Sequence, residues 1–212
     1  SAPCGTATNC DIKGGVNGIE IWIKGNYSAS LDLVASKVEG GVYAHDEFNS
    51  NPSIDNNGKL SLVADAATTG VDAEDITLVI ARAENVEGVL KDYMDNAEAK
   101  IGDRYYATLA DAIAAVGSGD VVIELVNDAT LSYGAREAYG VSETTSLTIK
   151  GNSKVLTLNQ TNSDWSSFGL ANAEAKVVFK NMIIEKTGYG DTSGAWNTHA
   201  IIFSCPLEMT DV

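Results

Sequence analysis

The chain is poor in several residue types, and each shortage excludes a class of protein. Among its 212 residues are only 3 cysteines, two of them close enough in sequence to pair, and 2 histidines, so a zinc site with four nitrogen or sulfur ligands is not favoured. No apolar run reaches the 18 residues of a membrane helix, so we expect no membrane insertion. Lysine and arginine total 14 against 29 acidic residues, a net charge of -15. Such a surface repels phosphate backbones, and we expect no nucleic-acid partner.

Glycine, asparagine and short alternating apolar runs are abundant instead, and they predict an all-β chain. Ile19, Ile21 and Ile23 share one face of a strand, with Trp22 on the other. Three further sets alternate in the same way: Tyr27, Ala29, Leu31 and Leu33; Leu60, Leu62 and Ala64; Ile76, Leu78 and Ile80. Short strands separated by Gly, Asn and Asp turns predict a β-sandwich over residues 1–96.

Part of this region carries a more specific likeness. Residues 30–42 are followed by "GKLSLV" at 58–63 and by a strand pattern at 73–80. This order resembles the later half of cohesin-like jelly-roll domains, over residues 30–88. The resemblance implies an antiparallel sandwich and, as one alternative for function, a cohesin-type scaffold module.

The clearest helix is predicted after a short β arm at residues 97–106. Thr108 stands at its N-cap, and Asp111 three residues later completes a variant of the capping box. Leu109, Ala112, Ile113 and Val116 form a single apolar stripe, and Gly117 occupies the expected C′ position.

A repeat of thirty residues follows this helix. Leu147, Val177 and Leu207 are spaced by thirty residues, and so are Ile149, Phe179 and Met209. Further short strands are predicted between these positions, and three strands per period describe the coil of a parallel β-helix. Asn152, Asn181 and Asp211 stand at the corners, where a residue that tolerates the left-handed conformation is needed.

The run "AKIGDRYYATLADAIAAVGSGDVVIELVNDATL" followed by "SLTIKGN" resembles the opening of pectate-lyase-like right-handed β-helices in large surface proteins of gut bacteria. The resemblance implies that residues 97–212 are a helix-capped N-terminal end and the first rungs of a parallel β-helix. It also implies an extracellular or cell-surface location. It implies no particular activity, because the same β-helix fold occurs in lyases, hydrolases and adhesins. We expect the parent protein to continue beyond residue 212, and the fragment either to self-associate through the open end or to fray over its last residues.

No catalytic motif is present, so we expect a non-enzymatic adhesion or ligand-binding role. Trp165, Tyr189 and Trp196 lie in polar loops, and Trp22 lies opposite an isoleucine face. Such aromatics stack on sugars or anchor protein contacts, which points to a glycan or a host protein such as mucin or immunoglobulin. The alternative is the non-catalytic front end of a β-helix polysaccharide lyase or glycoside hydrolase. The alternative for Trp165, Tyr189 and Trp196 is packing against the coil, whereas Trp22 is expected to mark an interdomain or partner contact.

Two smaller predictions concern covalent and metal chemistry. Cys4 and Cys10 enclose a short loop that a disulfide would close. No cofactor is expected, although the acidic turn at residues 72–75 offers oxygen ligands for calcium. His45 and His199 are isolated in the sequence, so we expect structural or exposed roles for both.

Overall fold

The computed structural model describes residues 4–47, 55–134, 137–161, 168–188 and 205–212. Strands make up 53% of the chain and helices 11%, which confirms a mainly β protein. The strands form about six turns of a β-solenoid. The chain divides into two compact units: residues 1–96 with 103–107, and residues 97–102 with 108–212.

The strands are short throughout. Up to residue 106 they are β1 (Cys4–Thr8), β2 (Asp11–Lys13), β3 (Ile19–Lys24), β4 (Ala29–Val34), β5 (Lys37–Glu39), β6 (Val42–Glu47), β7 (Leu60–Ala64), β8 (Ile76–Val79), β9 (Val86–Gly88), β10 (Ala99–Ile101) and β11 (Arg104–Tyr106). Beyond it they are β12 (Gly119–Leu125), β13 (Ala129–Tyr133), β14 (Glu137–Tyr139), β15 (Thr144–Lys150), β16 (Val155–Gln160), β17 (Phe168–Leu170), β18 (Lys176–Lys180), β19 (Ile183–Gly188) and β20 (Leu207–Thr210).

The first unit is a solenoid, and the prediction of a β-sandwich for residues 1–96 is wrong. Strands β1, β4, β7 and β9 follow one another in parallel, and β3, β6 and β8 do the same in a second sheet. β2 pairs with β5, also in parallel. A cohesin-like jelly roll requires antiparallel neighbours, so these pairs also remove the basis of that likeness. The chain reaches each parallel neighbour by winding around the coil.

Most of the predicted strand faces of the first unit are confirmed, but Tyr27, which the alternation placed with Ala29 and Leu33, is 64% exposed. Ile19, Ile21 and Ile23 are buried, and the residues between them are exposed. Leu60 and Leu62 of β7 have no exposed surface. Because each inward residue stacks on its counterpart one coil away, the strands share one apolar interior.

The second unit contains the predicted thirty-residue repeat. In the parallel ladder of β15, β18 and β20, Leu147 pairs with Val177 and Val177 with Leu207. The same ladder pairs Ile149 with Phe179 and Phe179 with Met209. A second parallel sheet runs through β13, β16 and β19. The sequence also predicts a third strand of the coil at residues 201–203, but these positions lie outside the described residues.

The corners of this coil are also as predicted. Asn152, Asn181 and Asp211 have φ angles of 51°, 54° and 56°. These values lie in the left-handed region, which asparagine and aspartate tolerate better than most residues. Each allows the chain to turn out of a strand of the β15–β18–β20 sheet.

Two α-helices are described, α1 (Val89–Asn96) and α2 (Leu109–Ala114), and no described helix is long and apolar enough to cross a bilayer. The sequence did not predict α1. The predicted α2 begins with Thr108 as its N-cap, whose side chain accepts from the Asp111 amide at 3.1 Å. The helix ends earlier than expected, and Gly119, not Gly117, has the positive φ of 77°.

A buried ion pair fixes three turns of the first unit together. The Nε of Arg82 donates to Asp46 Oδ2 at 2.9 Å, and both side chains are at least 94% buried. The Nη1 of Arg82 donates to the carbonyl of Gly25 at 2.8 Å, and the Ala81 amide donates to Asp46 Oδ1 at 3.1 Å. The pair therefore joins the end of β6 to the turns that follow β3 and β8.

We predict that Asp46→Asn lowers the free energy of unfolding by about 3–5 kcal/mol, because it leaves the Arg82 guanidinium buried without its counter-charge. Urea denaturation measures the change. Glu47→Gln is the matched control, since the Lys24–Glu47 pair on the next position is half-exposed, and its effect should be much smaller. Equal effects of the two substitutions would contradict the role given to the buried pair.

Candidate functional site

The outer face of one sheet in the first unit brings aromatic and charged side chains into a row. The parallel ladder pairs Trp22 of β3 with His45 of β6, and His45 with Val79 of β8. Arg104 of β11 pairs with Val79 in antiparallel register. Neighbouring strands are about 4.8 Å apart, so this row extends about 14 Å across four strands.

A second row lies beside the first. Glu20 of β3 pairs with Tyr43 of β6, and Tyr43 with Thr77 of β8. Tyr106, two residues after Arg104, lies on the same face of β11. We call the two rows together the platform: Glu20, Trp22, Tyr43, His45, Thr77, Val79, Arg104 and Tyr106.

Three rings at one end of the platform support one another. The centroids of Trp22 and His45 are 6.3 Å apart with an interplanar angle of 11°, and those of Tyr43 and His45 are 4.7 Å apart. The Nε2 of His45 lies 3.1 Å from Glu20 Oε1. Trp22 is 48% exposed, so a large aromatic surface faces solvent while its orientation is restricted by its neighbours.

Charged groups lie at both ends of the platform. The Arg104 guanidinium lies over the Tyr106 ring, 5.1 Å from its centroid, in a cation–π contact. Lys24 donates to Glu47 at 2.7 Å beside Trp22, and this hydrogen bond holds the pKa of the Glu47 carboxyl below its usual value. Such an arrangement offers an apolar surface for stacking and hydrogen-bonding groups of both signs around it. This combination fits a polar ligand that carries an apolar face.

The structure places the predicted binding residues unevenly. Trp22 is on the platform, whereas Trp165, Tyr189 and Trp196 lie outside the described residues. His45 was expected to be isolated, and it instead lies between two rings and a carboxylate. The alternation of Val42, Tyr43, Ala44 and His45 predicts a strand with both rings on one face and was the signal for this cluster.

The acidic turn considered for calcium forms a short 3₁₀ helix at Ala73–Asp75. The Asp72 amide donates to Asp75 Oδ2 at 3.3 Å, so one carboxylate is used to cap the turn. Among the residues that the structure describes, no three His, Cys, Asp or Glu side chains converge as a metal site would require.

The predicted disulfide between Cys4 and Cys10 is not formed in the structure. Both thiols are free and exposed. Cys4 pairs with Ser30 at one end of β1, and the Cys10 amide donates to Ser36 Oγ beyond its other end. The five residues of extended β1 span about 13 Å, while bridged cysteines need Cα atoms within about 7 Å.

The outward charges of the second unit form an ion-pair ladder across strands. Glu124 of β12 lies between Lys150 of β15 at 3.0 Å and Lys100 of β10 at 3.7 Å. The hydrogen bond from Lys150 holds the pKa of the Glu124 carboxyl below its usual value. Lys176 and Glu208 form a further pair at 2.7 Å. Lys150 and Glu208 therefore each form an ion pair with a neighbouring strand on a solvated face.

The comparisons with known proteins supply no relative. No protein-family model, curated protein or solved structure matches the chain.

We predict three free thiols in the native, unreduced protein. Cys4 and Cys10 should react within the fast phase of labelling by a thiol reagent. Cys205 should react more slowly, because burial raises the pKa of its thiol and lowers its thiolate fraction. Timed alkylation with intact-mass detection measures all three thiols. A native mass two hydrogens below that of the reduced protein would contradict the prediction and indicate a Cys4–Cys10 disulfide.

We predict that Glu124→Gln destabilises the protein at neutral pH and has less effect in acid. The folded pKa of Glu124 lies below its usual 4.5, so its contribution is present above that value and is lost as the pH falls through the folded pKa. The effect at pH 7 should be below about 1 kcal/mol, as for partly exposed pairs. Urea midpoints of both proteins at pH 7 and pH 3 measure it, and a difference that grows in acid would contradict the assignment.

Proposed function

We propose that the chain is a non-enzymatic, ligand-binding part of a secreted or cell-surface bacterial protein, and that its platform binds a neutral glycan. The observation that carries the proposal is the exposed indole of Trp22, supported by the parallel ring of His45. An exposed aromatic surface with a fixed orientation is suited to the C–H face of a pyranose ring.

The polar groups of the platform support the same proposal. A pyranose ring stacked on the Trp22 indole carries its hydroxyl groups around its edge. These hydroxyls would lie near Glu20, which belongs to the neighbouring row of the platform. Glu20 accepts hydrogen bonds beside Trp22, whereas Thr77 and Arg104, about 10 and 14 Å away across the sheet, can bond to further sugar units of an oligosaccharide. Oriented polar groups around an apolar contact give a site its specificity, whereas the stacked area supplies much of the affinity.

The charge of the chain favours a neutral ligand over a polyanion. A net charge of -15 repels acidic polysaccharides over the distance that salt leaves unscreened, about 8 Å at physiological ionic strength. Neutral plant or mucin-type glycans meet no such repulsion. A host protein docking on Trp22 is the second candidate, because an exposed tryptophan among polar neighbours is also a common hot spot of protein interfaces.

We predict that Trp22→Ala weakens glycan binding by about 1–3 kcal/mol, a rise in Kd of roughly 5- to 150-fold, while leaving the fold intact. Titration calorimetry against xyloglucan, galactomannan and desialylated mucin glycans measures the change. Tyr27→Ala is the matched control, because Tyr27 is an exposed aromatic of the same unit that lies off the platform.

The control should bind like the unchanged protein. Absence of binding to every glycan, or an equal loss in Trp22→Ala and Tyr27→Ala, would refute the proposal. Binding of mucin protein or immunoglobulin that depends on Trp22, without glycan binding, would favour the protein-binding candidate. Circular dichroism of both variants separates a lost contact from a lost fold.

A further inference from the structure

The first row of the platform changes in character from one strand to the next. Trp22 of β3 and His45 of β6 present parallel rings, and Val79 of β8 follows with an alkyl side chain. Arg104 of β11 ends the row. We call the three residues Trp22, His45 and Val79 the stripe, because they offer aromatic and apolar surface without a carboxylate among them.

Groups that can bond to hydroxyls lie on both sides of the stripe. Lys24 and Glu47 form an ion pair on one side, and Glu20 and Thr77 lie on the other. With Arg104 included, two carboxylates face two cations, so this part of the surface has no formal net charge when histidine is counted as neutral. The whole chain carries -15, so the platform is less acidic than the average surface and suits an uncharged ligand.

The side chain at the far end of the row is held in place. Arg104 is exposed, and its guanidinium lies 5.1 Å from the centroid of the Tyr106 ring. This cation–π contact restricts the position of the guanidinium, whose N–H groups donate hydrogen bonds. The row therefore has a stacking surface at one end and an oriented donor at the other.

We infer that the platform binds a linear, equatorially linked oligosaccharide of about three pyranose units, which lies across the strands along the stripe. The inference rests on the proposed glycan-binding function and names the kind of glycan. Equatorial linkages keep successive sugar rings in an extended ribbon, with C–H groups on its faces and hydroxyls along both edges. That distribution matches an apolar stripe with polar groups on both sides.

The length of the row sets the number of sugar units. One unit of an extended chain advances by about one strand spacing, roughly 5 Å, and the row from Trp22 to Arg104 extends about 14 Å. A unit stacked on Trp22 therefore places the third unit within reach of Arg104. Axial linkages turn the chain into a helix, which would leave the stripe after the first unit.

Titration calorimetry with cello- and manno-oligosaccharides of one to six units measures the dependence on length. Affinity in at least one series should rise by about tenfold from the disaccharide to the trisaccharide, as Arg104 comes within reach, and level off beyond it. Malto-oligosaccharides of the same lengths are the matched ligands, because they join the same glucose units through an axial bond at each anomeric carbon. They should bind no more tightly than glucose.

Arg104→Ala tests the far end of the row. It should weaken binding of the trisaccharide by about tenfold, the loss of one hydrogen bond from a charged donor, and leave the disaccharide nearly unaffected. Lys59→Ala is the matched control, because it removes one positive charge beside β7, in a different sheet of the same unit. A change in the fold would weaken both sugars alike, and circular dichroism of the two variants monitors it.

The outcomes separate this inference from the proposed function. Trp22-dependent binding with equal affinity for one unit and for six, or for cellotriose and maltotriose, would overturn the inference and leave the proposed function standing. Trp22-dependent binding of mucin glycans alone would do the same. If no glycan binds, both are wrong. Affinity that rises to about three units in an equatorial series, and that Arg104→Ala returns to the disaccharide value, supports the inference.

Discussion

The register of parallel strands is the constraint on which the rest of this structure depends. Each coil places inward residues directly above those of the previous coil, so the apolar interior consists of columns such as Leu147, Val177 and Leu207. One coil alone buries too little apolar surface to be stable, and the columns stabilise each coil through its neighbours. A shift of one residue would turn every column toward solvent, so burial and register are a single requirement.

The same alternation generates the outer surface. Burial of Ile19, Ile21 and Ile23 forces Trp22 outward, and the coil register then sets His45 beside it. The platform is therefore a consequence of coil winding, with side chains from strands that are far apart in the chain. In the second unit the equivalent outer face carries the ladder of Lys100, Glu124 and Lys150, so one geometry produces aromatic stacking in one place and ion pairing in another.

Two buried polar groups of the described residues lie where the coils turn, the Arg82–Asp46 pair and Thr144. The Arg82–Asp46 pair is buried near the ends of β3, β6 and β8, where Arg82 also donates to the carbonyl of Gly25. Thr144, fully buried, donates to the Gly117 carbonyl at 2.7 Å and accepts from the Val141 amide at 2.9 Å. Both satisfy backbone groups that would otherwise be buried without partners. Thus apolar columns stabilise the coils, and polar anchors define their turns.

The sequence by itself determined the strand faces, the cap of α2 and the coils of the second unit. Those features depend on local periodicity or on a constant thirty-residue step, and both can be recognised without knowing which strands meet. The coils of the first unit have no constant step: Ile19 pairs with Val42 after 23 residues, and Val42 with Ile76 after 34. Alternation says which side chains are buried but not whether the neighbouring strand is parallel, so only the tertiary structure distinguished a solenoid from a sandwich. Likewise, only the tertiary structure shows that Cys4 and Cys10 are apart and that Trp22 lies beside His45, because those distances are set by strand pairing between coils.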